Sequence, residues 1–483
     1  MKKVFCILLV LALTLGLCAC GSSVETKEET GLQIGFDRQK AMPDNYPVHI
    51  EGNDAGADVC EGNFLDELSV TCIAMKTGDK TVLVYTCDIV DIDGAFYKET
   101  ESAISGATGI PVSDIILNAT HTHSAPTLKS NLPGKDAYKV IFNKACAKAG
   151  ERAIADLSPA TVSYGSIQTE NMTFVRHYLM NDGSTYGNGH GNINAGIKDH
   201  HYPSDGECQV VRFTRAAEDK KDVVMMNLGA HATYVNGTDG TLSADFPGVA
   251  RQYVEEETGV LCAYFIAASG DQVPKSKKPG QTYYQDFRDH GTALGEYVVQ
   301  CLDTMTEAAA GDLNLYSETY TAKRMKEGTE DATLMAHATE VVALKNQYGN
   351  YSNDAVKSKV SEYGFSSYYE ALGLISRSNA PETGTLPVTA MTVGADVGFV
   401  FASYEMFSTH GTSIKENSPT PMTFIITCSE DDKAYIPNDI ACEHSYYEYD
   451  ITLYARGTGQ ALADRYVEII TALKDGQTPA PLN

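Results

Sequence analysis

Ile115-Ile-Leu-Asn118-Ala-Thr-His121-Thr-His123-Ser-Ala-Pro126 joins an apolar run to a polar turn. If the run is a buried strand bounded by turn signals, both histidines sit in the loop at its end, where imidazoles can point into a cleft. His121 and His123 are two apart, so in extended chain their side chains leave the same face. Neutral imidazole is a good zinc ligand, yet zinc needs three or four donors, and the pair alone settles nothing.

Outward from this stretch, elements of both kinds alternate. Leu68 to Asp91 reads as a hairpin with a Thr77-Gly-Asp-Lys80 turn. Its second arm is apolar on both faces, as in a covered sheet. A helix is expected over 97–108 and another over 135–155, from apolar residues at three and four spacing. Further strands are expected at Cys208–Phe213, Val223–Leu228, Leu261–Ile266 and Val397–Phe401, with helices over 289–309 and 460–473. Residues 178–204, rich in Gly, Asn and His, read as a long loop, and 325–380 as mobile helical segments forming a lid or insertion. The alternation predicts an α/β fold.

The first 20 residues read as a bacterial lipoprotein signal: Lys2 and Lys3, an apolar core to Leu17, then Leu17-Cys-Ala-Cys20 before Gly-Ser-Ser. Cys20 would be acylated, residues 21–32 would form a flexible tether, and 33–483 a single large domain. The expected location is the outer face of the cell membrane, with the membrane as a partner through Cys20. The apolar run is shorter than the roughly 20 residues of a membrane span. A net charge of −26 argues against nucleic acid and polyanionic partners. Setting Cys6, Cys18 and Cys20 aside leaves an odd number of the twelve cysteines, with no Cys-x-x-Cys, so mostly free, buried thiols are expected.

A second histidine follows an apolar strand in Asn227-Leu-Gly-Ala-His231-Ala-Thr233. Two strand ends that deliver imidazoles to one sheet edge are how open α/β folds build sites. Here the chain resembles the catalytic domain of the neutral, non-lysosomal ceramidases. The matching segments run in order: Ile34-Gly-Phe-Asp-Arg38, the His121 segment, Arg176 before Asn181-Asp-Gly, the His231 segment and Ser243-Ala-Asp-Phe-Pro-Gly248. Ala268-Ser-Gly-Asp-Gln-Val-Pro274, Tyr404-Glu405-Met-Phe407, Ala434-Tyr435-Ile-Pro437, Tyr447-Glu448 and Arg456-Gly-Thr-Gly459 follow.

The resemblance implies two packed mixed β-sheets flanked by helices, and Zn2+ held by His121, His231, Glu405 and Tyr435. It places His123, Arg176 and Tyr447 at the reacting centre. Arg176 and Tyr447 would face an oxyanion, and His123 would move a proton to the leaving amine. It also implies hydrolysis of a linear amide, ceramide-like, by metal-activated water. A zinc esterase or peptidase-like amidase would share the oxyanion, and a surface lipoprotein that only binds ligand is the other reading. Val273 stands where family ceramidases carry a serine, and the chain leaves no room for their C-terminal β-sandwich; both put ceramide specificity in doubt. Asp245 and Asp271 lie in matching segments as ligands, histidine-orienting groups or helix caps.

Overall fold

Along the strand Ser69–Thr77, alternate residues go to opposite faces: Val70, Cys72 and Ala74 pack against helices, whereas Ile73 and Met75 pack against a second sheet. Both faces are covered, which is why the apolar run is nearly continuous. The structure, a computed structural model, describes residues 31–482 apart from 53–57, 129–131, 133, 188–195, 238 and 432. The expected signal, the acylation site Cys20 and most of the tether therefore lie outside the described residues.

The larger sheet contains β1 (Gln33–Lys40), β2 (Ser69–Thr77), β3 (Lys80–Cys87), β4 (Ile115–Ala119), β5 (Ser158–Gln168), β6 (Glu207–Arg215), β7 (Val223–Leu228) and β8 (Leu261–Ile266). Their spatial order is β8-β7-β6-β5-β1-β2-β3-β4. The pairs β3–β4 and β7–β8 are parallel and the others antiparallel. The smaller sheet, in the order β9 (Leu313–Lys323), β10 (Thr383–Val393), β11 (Val397–Ala402) and β12 (Met422–Ile426), is likewise mixed, with β11–β12 parallel.

The two sheets meet through Ile34, Ile73, Val84, Met225 and Phe265 on one side and Met391, Phe399, Phe401 and Phe424 on the other. The α/β reading with two packed mixed sheets therefore holds. The outer face of the larger sheet is covered by Lys135–Ala155, whose Tyr138, Phe142, Cys146, Ala149 and Ala153 form one buried stripe. A Cβ at Gly35 of β1 would fall 1.9 Å from the Ala153 carbonyl oxygen of that helix, so only glycine allows this approach. Thr458–Lys474 covers the smaller sheet with Leu462, Tyr466, Ile469 and Ile470. Among the described residues no helix is long and apolar enough to cross a membrane.

Several expectations shift. The helix expected over 97–108 starts at Gly94, because the Asp93 side chain accepts hydrogen bonds from Ala95 N and Phe96 N. The helix expected over 289–309 spans Phe287–Leu302; Thr306–Glu307 instead pairs with β5. The loop over 178–204 contains Tyr178–Met180, Thr185–Tyr186 and Ile197–His200, which form a small sheet. Its first turn is Asn181-Asp182-Gly183, with Gly183 at φ 85°, a hairpin signal in the sequence.

Residues 325–380 contain three helices, Ala332–Tyr348, Asp354–Tyr363 and Tyr368–Asn379, around a core of Ala338, Val341, Val356, Phe365, Ala371 and Leu374. Arg377 pins them to the segment that carries Tyr447, donating to the Asp450 carbonyl at 3.0 Å and to that of Tyr449. No two of the described cysteines are joined by a disulfide, and eight of the nine are buried.

One buried carboxyl between the sheets gives a stability prediction. Glu430 accepts a hydrogen bond from Thr389 Oγ1 at 2.9 Å, while its Oε2 has no hydrogen-bond partner. Burial pushes its pKa up to about 7. Because the folded value exceeds the unfolded one, the contribution of its protonated form is full below about pH 4 and is lost as pH rises through 7. Glu430→Gln should therefore gain on the order of 1–2 kcal/mol at pH 8 and nothing at pH 4.5. Urea midpoints of both proteins at the two pH values check this; parallel pH profiles would sink it.

Candidate metal centre

The ends of β4 and β7 deliver the histidines, as the strand-end reading expected. Past β4 the chain turns at His121, which takes φ 62°, a left-handed backbone uncommon for a side-chain-bearing residue. Its Nδ1 lies 2.7 Å from the Val90 carbonyl oxygen. A carbonyl only accepts, so Nδ1 carries a proton and Nε2 is the ring nitrogen turned toward the cluster. His231 repeats the arrangement with Nδ1 3.0 Å from the Gln272 carbonyl oxygen. Such contacts fix tautomer and ring orientation in metal-binding imidazoles.

A bridge between Thr122 and Ala232 ties the two loops, and His123 N donates to Ala232 O at 3.1 Å. Gly52, at φ 122°, packs under His123: a Cβ there would meet the His123 Cβ at 2.7 Å.

Glu405 comes from the other sheet, three residues beyond β11, in a short parallel pairing that sets it in register with Tyr435. Glu405 Oε2 lies 3.0 Å from His231 Nε2 and 3.3 Å from His121 Nε2, and Tyr435 Oη lies 3.4 Å from His231 Nε2. The donor atoms of His121, His123 and His231 all fall within 4.8 Å of one another.

His121 Nε2, His123 Nε2 and Glu405 Oε2 are buried and make no well-aligned hydrogen bond, although Glu405 Oε2 lies within ion-pair distance of His121 and His231. Unsatisfied buried polar atoms cost about 1–3 kcal/mol each, so three that converge call for an occupant. Donors around a tetrahedral zinc at about 2.0–2.1 Å are about 3.3 Å apart. The separations of 3.0, 3.3 and 3.4 Å match that edge, so the residues fit the ion. The structure thus brings together His121, His231, Glu405 and Tyr435, and adds His123 as a third imidazole.

Electrostatics divide the imidazoles: burial would lower His121, but Cys428 and Glu405 outweigh it and hold its pKa well above the usual histidine range, so a bound ion there would displace a proton. Burial, reinforced by Arg176, lowers His231 to about 4. Burial and the two neighbouring imidazoles hold His123 well below the usual histidine range. Both are therefore neutral near pH 7. His123 is thus in the neutral form, which has to accept a proton before it can donate one. Burial would raise Glu405, but His121 and His231 outweigh it and hold the carboxylate well below its usual range.

Arg176 is the cation of the site. Its Nη1 lies 3.5 Å from His231 Nε2, its Nε donates to Glu448 Oε1 at 2.6 Å and its Nη2 to Gly270 O at 2.8 Å. Glu448 is fully buried and also faces His177 Nε2 at 2.8 Å. Burial raises its pKa, yet Arg176 and His177 outweigh it and bring the carboxyl down to about 2.

Glu448 and His177 received no role in the sequence reading. Both adjoin residues that did, Tyr447 and Arg176, and that adjacency was the available signal. Tyr447 sits with its ring 5.8 Å from that of Tyr435 and 4.8 Å from that of Tyr369. Asp271 accepts from Ser408 N and Ser408 Oγ at 2.7 Å, so it caps the helix Ser408–Asn417. Asp245 accepts from Val235 N at 2.7 Å and Phe246 N at 2.5 Å, tying the chain beyond His231 to a helix start.

No family profile matches this sequence, and no curated protein matches it. Solved structures do. The neutral ceramidase of Pseudomonas aeruginosa superposes with a TM-score of 0.68 at 16% identity, over 94% of this chain and 77% of that one. A ceramidase complexed with C2 gives a TM-score of 0.70 at 16% identity with the same coverage. Over nearly its whole length, then, this chain has the neutral ceramidase fold.

Proposed function

We propose that the protein is a zinc-dependent hydrolase of a linear amide, of the N-acyl class, exported and held at the outer face of the cell membrane through Cys20. The observation that carries this reading is the convergence of three unsatisfied buried donor atoms, on His121, His123 and Glu405, beside the fixed cation Arg176. His121, His231, Glu405 and Tyr435 would hold the ion, which when bound supplies Lewis acidity and an acidified water.

The chain's own groups do the rest. Arg176, locked by Glu448 and the Gly270 carbonyl, faces the oxygen that gains charge when the amide carbonyl becomes tetrahedral, and needs no rearrangement to do so. Tyr447 offers a second donor from the same wall. His123, neutral and half-buried, accepts the proton of the attacking water and passes it to the leaving nitrogen.

A panel of N-acyl substrates including a ceramide tests the proposal, with zinc, beside His121→Ala and a chelated sample. Cleavage that disappears in both controls is the expected result. Turnover that survives chelation would refute it.

A further inference from the structure

Next to the cluster lies a cavity of 190 Å³ whose walls include Arg176, Tyr178, Thr233, Val273, Lys275 and Lys277. Arg176 connects it to the imidazoles, and Thr233 is two residues beyond His231. Three cationic residues therefore contribute to the walls of one small space that has no carboxylate among its lining residues, in a chain of net charge −26, and of the three Arg176 is already paired with Glu448.

The lysines are held on a fixed segment. Val273 pairs with Phe174, Ser276 Oγ lies 2.9 Å from His200 Nε2, and Lys277 N donates to Tyr178 Oη at 3.0 Å. Among the described residues neither Lys275 nor Lys277 has an ion-pair partner, whereas the next lysine, Lys278, meets Asp199 at 2.8 Å. Their ammonium groups rest on aromatic rings instead. Lys275 Nζ is 4.4 Å from the Tyr234 ring centroid, and Lys277 Nζ is 3.4 Å from Tyr186 Oη.

Asp245 and Asp286 lie near enough for Lys275 to feel their charge. Both are already engaged by backbone N–H groups, those of Val235 and Phe246 for the first and of Arg288 for the second. In a protein this acidic, Lys275 and Lys277, two cations without ion-pair partners among the described residues, create a local field beside the cluster that concentrates anions. An uncharged N-acyl sphingoid such as a ceramide makes no use of that field.

We propose that this cavity is a subsite for an anionic group of the substrate, so that the preferred amide carries a carboxylate or similar anion within a few bonds of the scissile carbonyl. The inference rests on the reading of the cluster as an amide-hydrolysing centre. The reaction stays balanced: water adds across the C–N bond, giving a carboxylic acid and an amine, and the recognised anion is unchanged. Lys275 and Lys277 determine specificity, and Arg176 is shared with the reacting centre.

Binding to the metal-stripped full chain tests this apart from turnover. Three probes of similar length are titrated: N-dodecanoylglycine, with the anion on the amine half; N-dodecylsuccinamic acid, with the anion on the acyl half; and uncharged N-dodecanoylethanolamine. At least one anionic probe should bind about tenfold or more tighter than the uncharged one. The Lys275→Gln/Lys277→Gln protein should lose that advantage while its affinity for the uncharged probe stays the same, and added salt should weaken only the anionic probe. Whichever anionic probe is preferred identifies the half that carries the charge.

Equal affinities, no binding by either anionic probe, or a double variant weakened towards all three would overturn the proposal. Preferential binding without hydrolysis in the zinc-loaded protein would leave the subsite standing and remove the amidase reading instead.

Discussion

His121→Ala should lower zinc affinity by more than about 100-fold and reduce amide hydrolysis to background. Loss of a mere outer-shell partner of a metal-bound histidine costs about 10–100-fold, and here a donor itself is removed. The effect comes from the placement of the ring. Its Nδ1 is fixed on the Val90 carbonyl, and its Nε2 stands 3.3 Å from Glu405 Oε2, so the substitution removes a donor held in place at a tetrahedral-edge distance.

His123, whose own Nε2 belongs to the same imidazole group, would remain and could retain weak binding. The expected pattern is thus a shallow residual zinc isotherm in His121→Ala and none in His121→Ala/His123→Ala. Calorimetric zinc titration with metal analysis of the purified proteins measures both. Full zinc occupancy in the double variant would place the ion elsewhere.

How far the sequence could be read depended on whether a feature was local. β7 and β8 were legible because each is a short apolar run with the same boundaries in chain and structure, and the histidines because each closely follows such a run. The Glu405 and Tyr435 donors were reached only through resemblance. Their adjacency is a register pairing across 30 positions, which no local pattern encodes. The Arg176–Glu448–His177 network spans about 270 positions and stayed hidden although each residue neighbours one that had been singled out.

Local patterns also failed where a tertiary partner took over. The stretch 303–309 looks helical, but Thr306 and Glu307 extend the sheet against β5, and the polar stretch after Tyr178 is a hairpin set by Asn-Asp-Gly. The pairing of the two sheets followed from resemblance too. Apolar runs say that a strand is covered on both faces, and they do not say by what.

The buried network near the cluster yields the other large effect, with two consequences that can be separated. Arg176→Met should cost about 10²–10³-fold in kcat, the usual penalty for removing a preorganised oxyanion donor. It should also destabilise the fold by about 3–5 kcal/mol, because Glu448, fully buried, loses the cation that faces it at 2.6 Å.

Glu448 is held at about 2, below the unfolded carboxyl range, so its contribution is present above the unfolded pKa and is lost as pH falls through the folded value. The variant's deficit should therefore be full at pH 7 and shrink on acidification, as the stranded carboxyl of the folded variant takes up a proton that Glu448 beside Arg176 does not accept until about pH 2. Adding Glu448→Gln removes the stranded charge. Arg176→Met/Glu448→Gln should recover most of the stability, since a buried ion pair replaced as a unit is often neutral, while kcat stays low.

Denaturant unfolding and single-turnover kinetics on the two variants read these quantities independently. If stability and kcat recovered together, Arg176 would be a scaffold residue whose loss merely distorts the cluster. Recovery of stability alone would place its guanidinium on the reacting carbonyl.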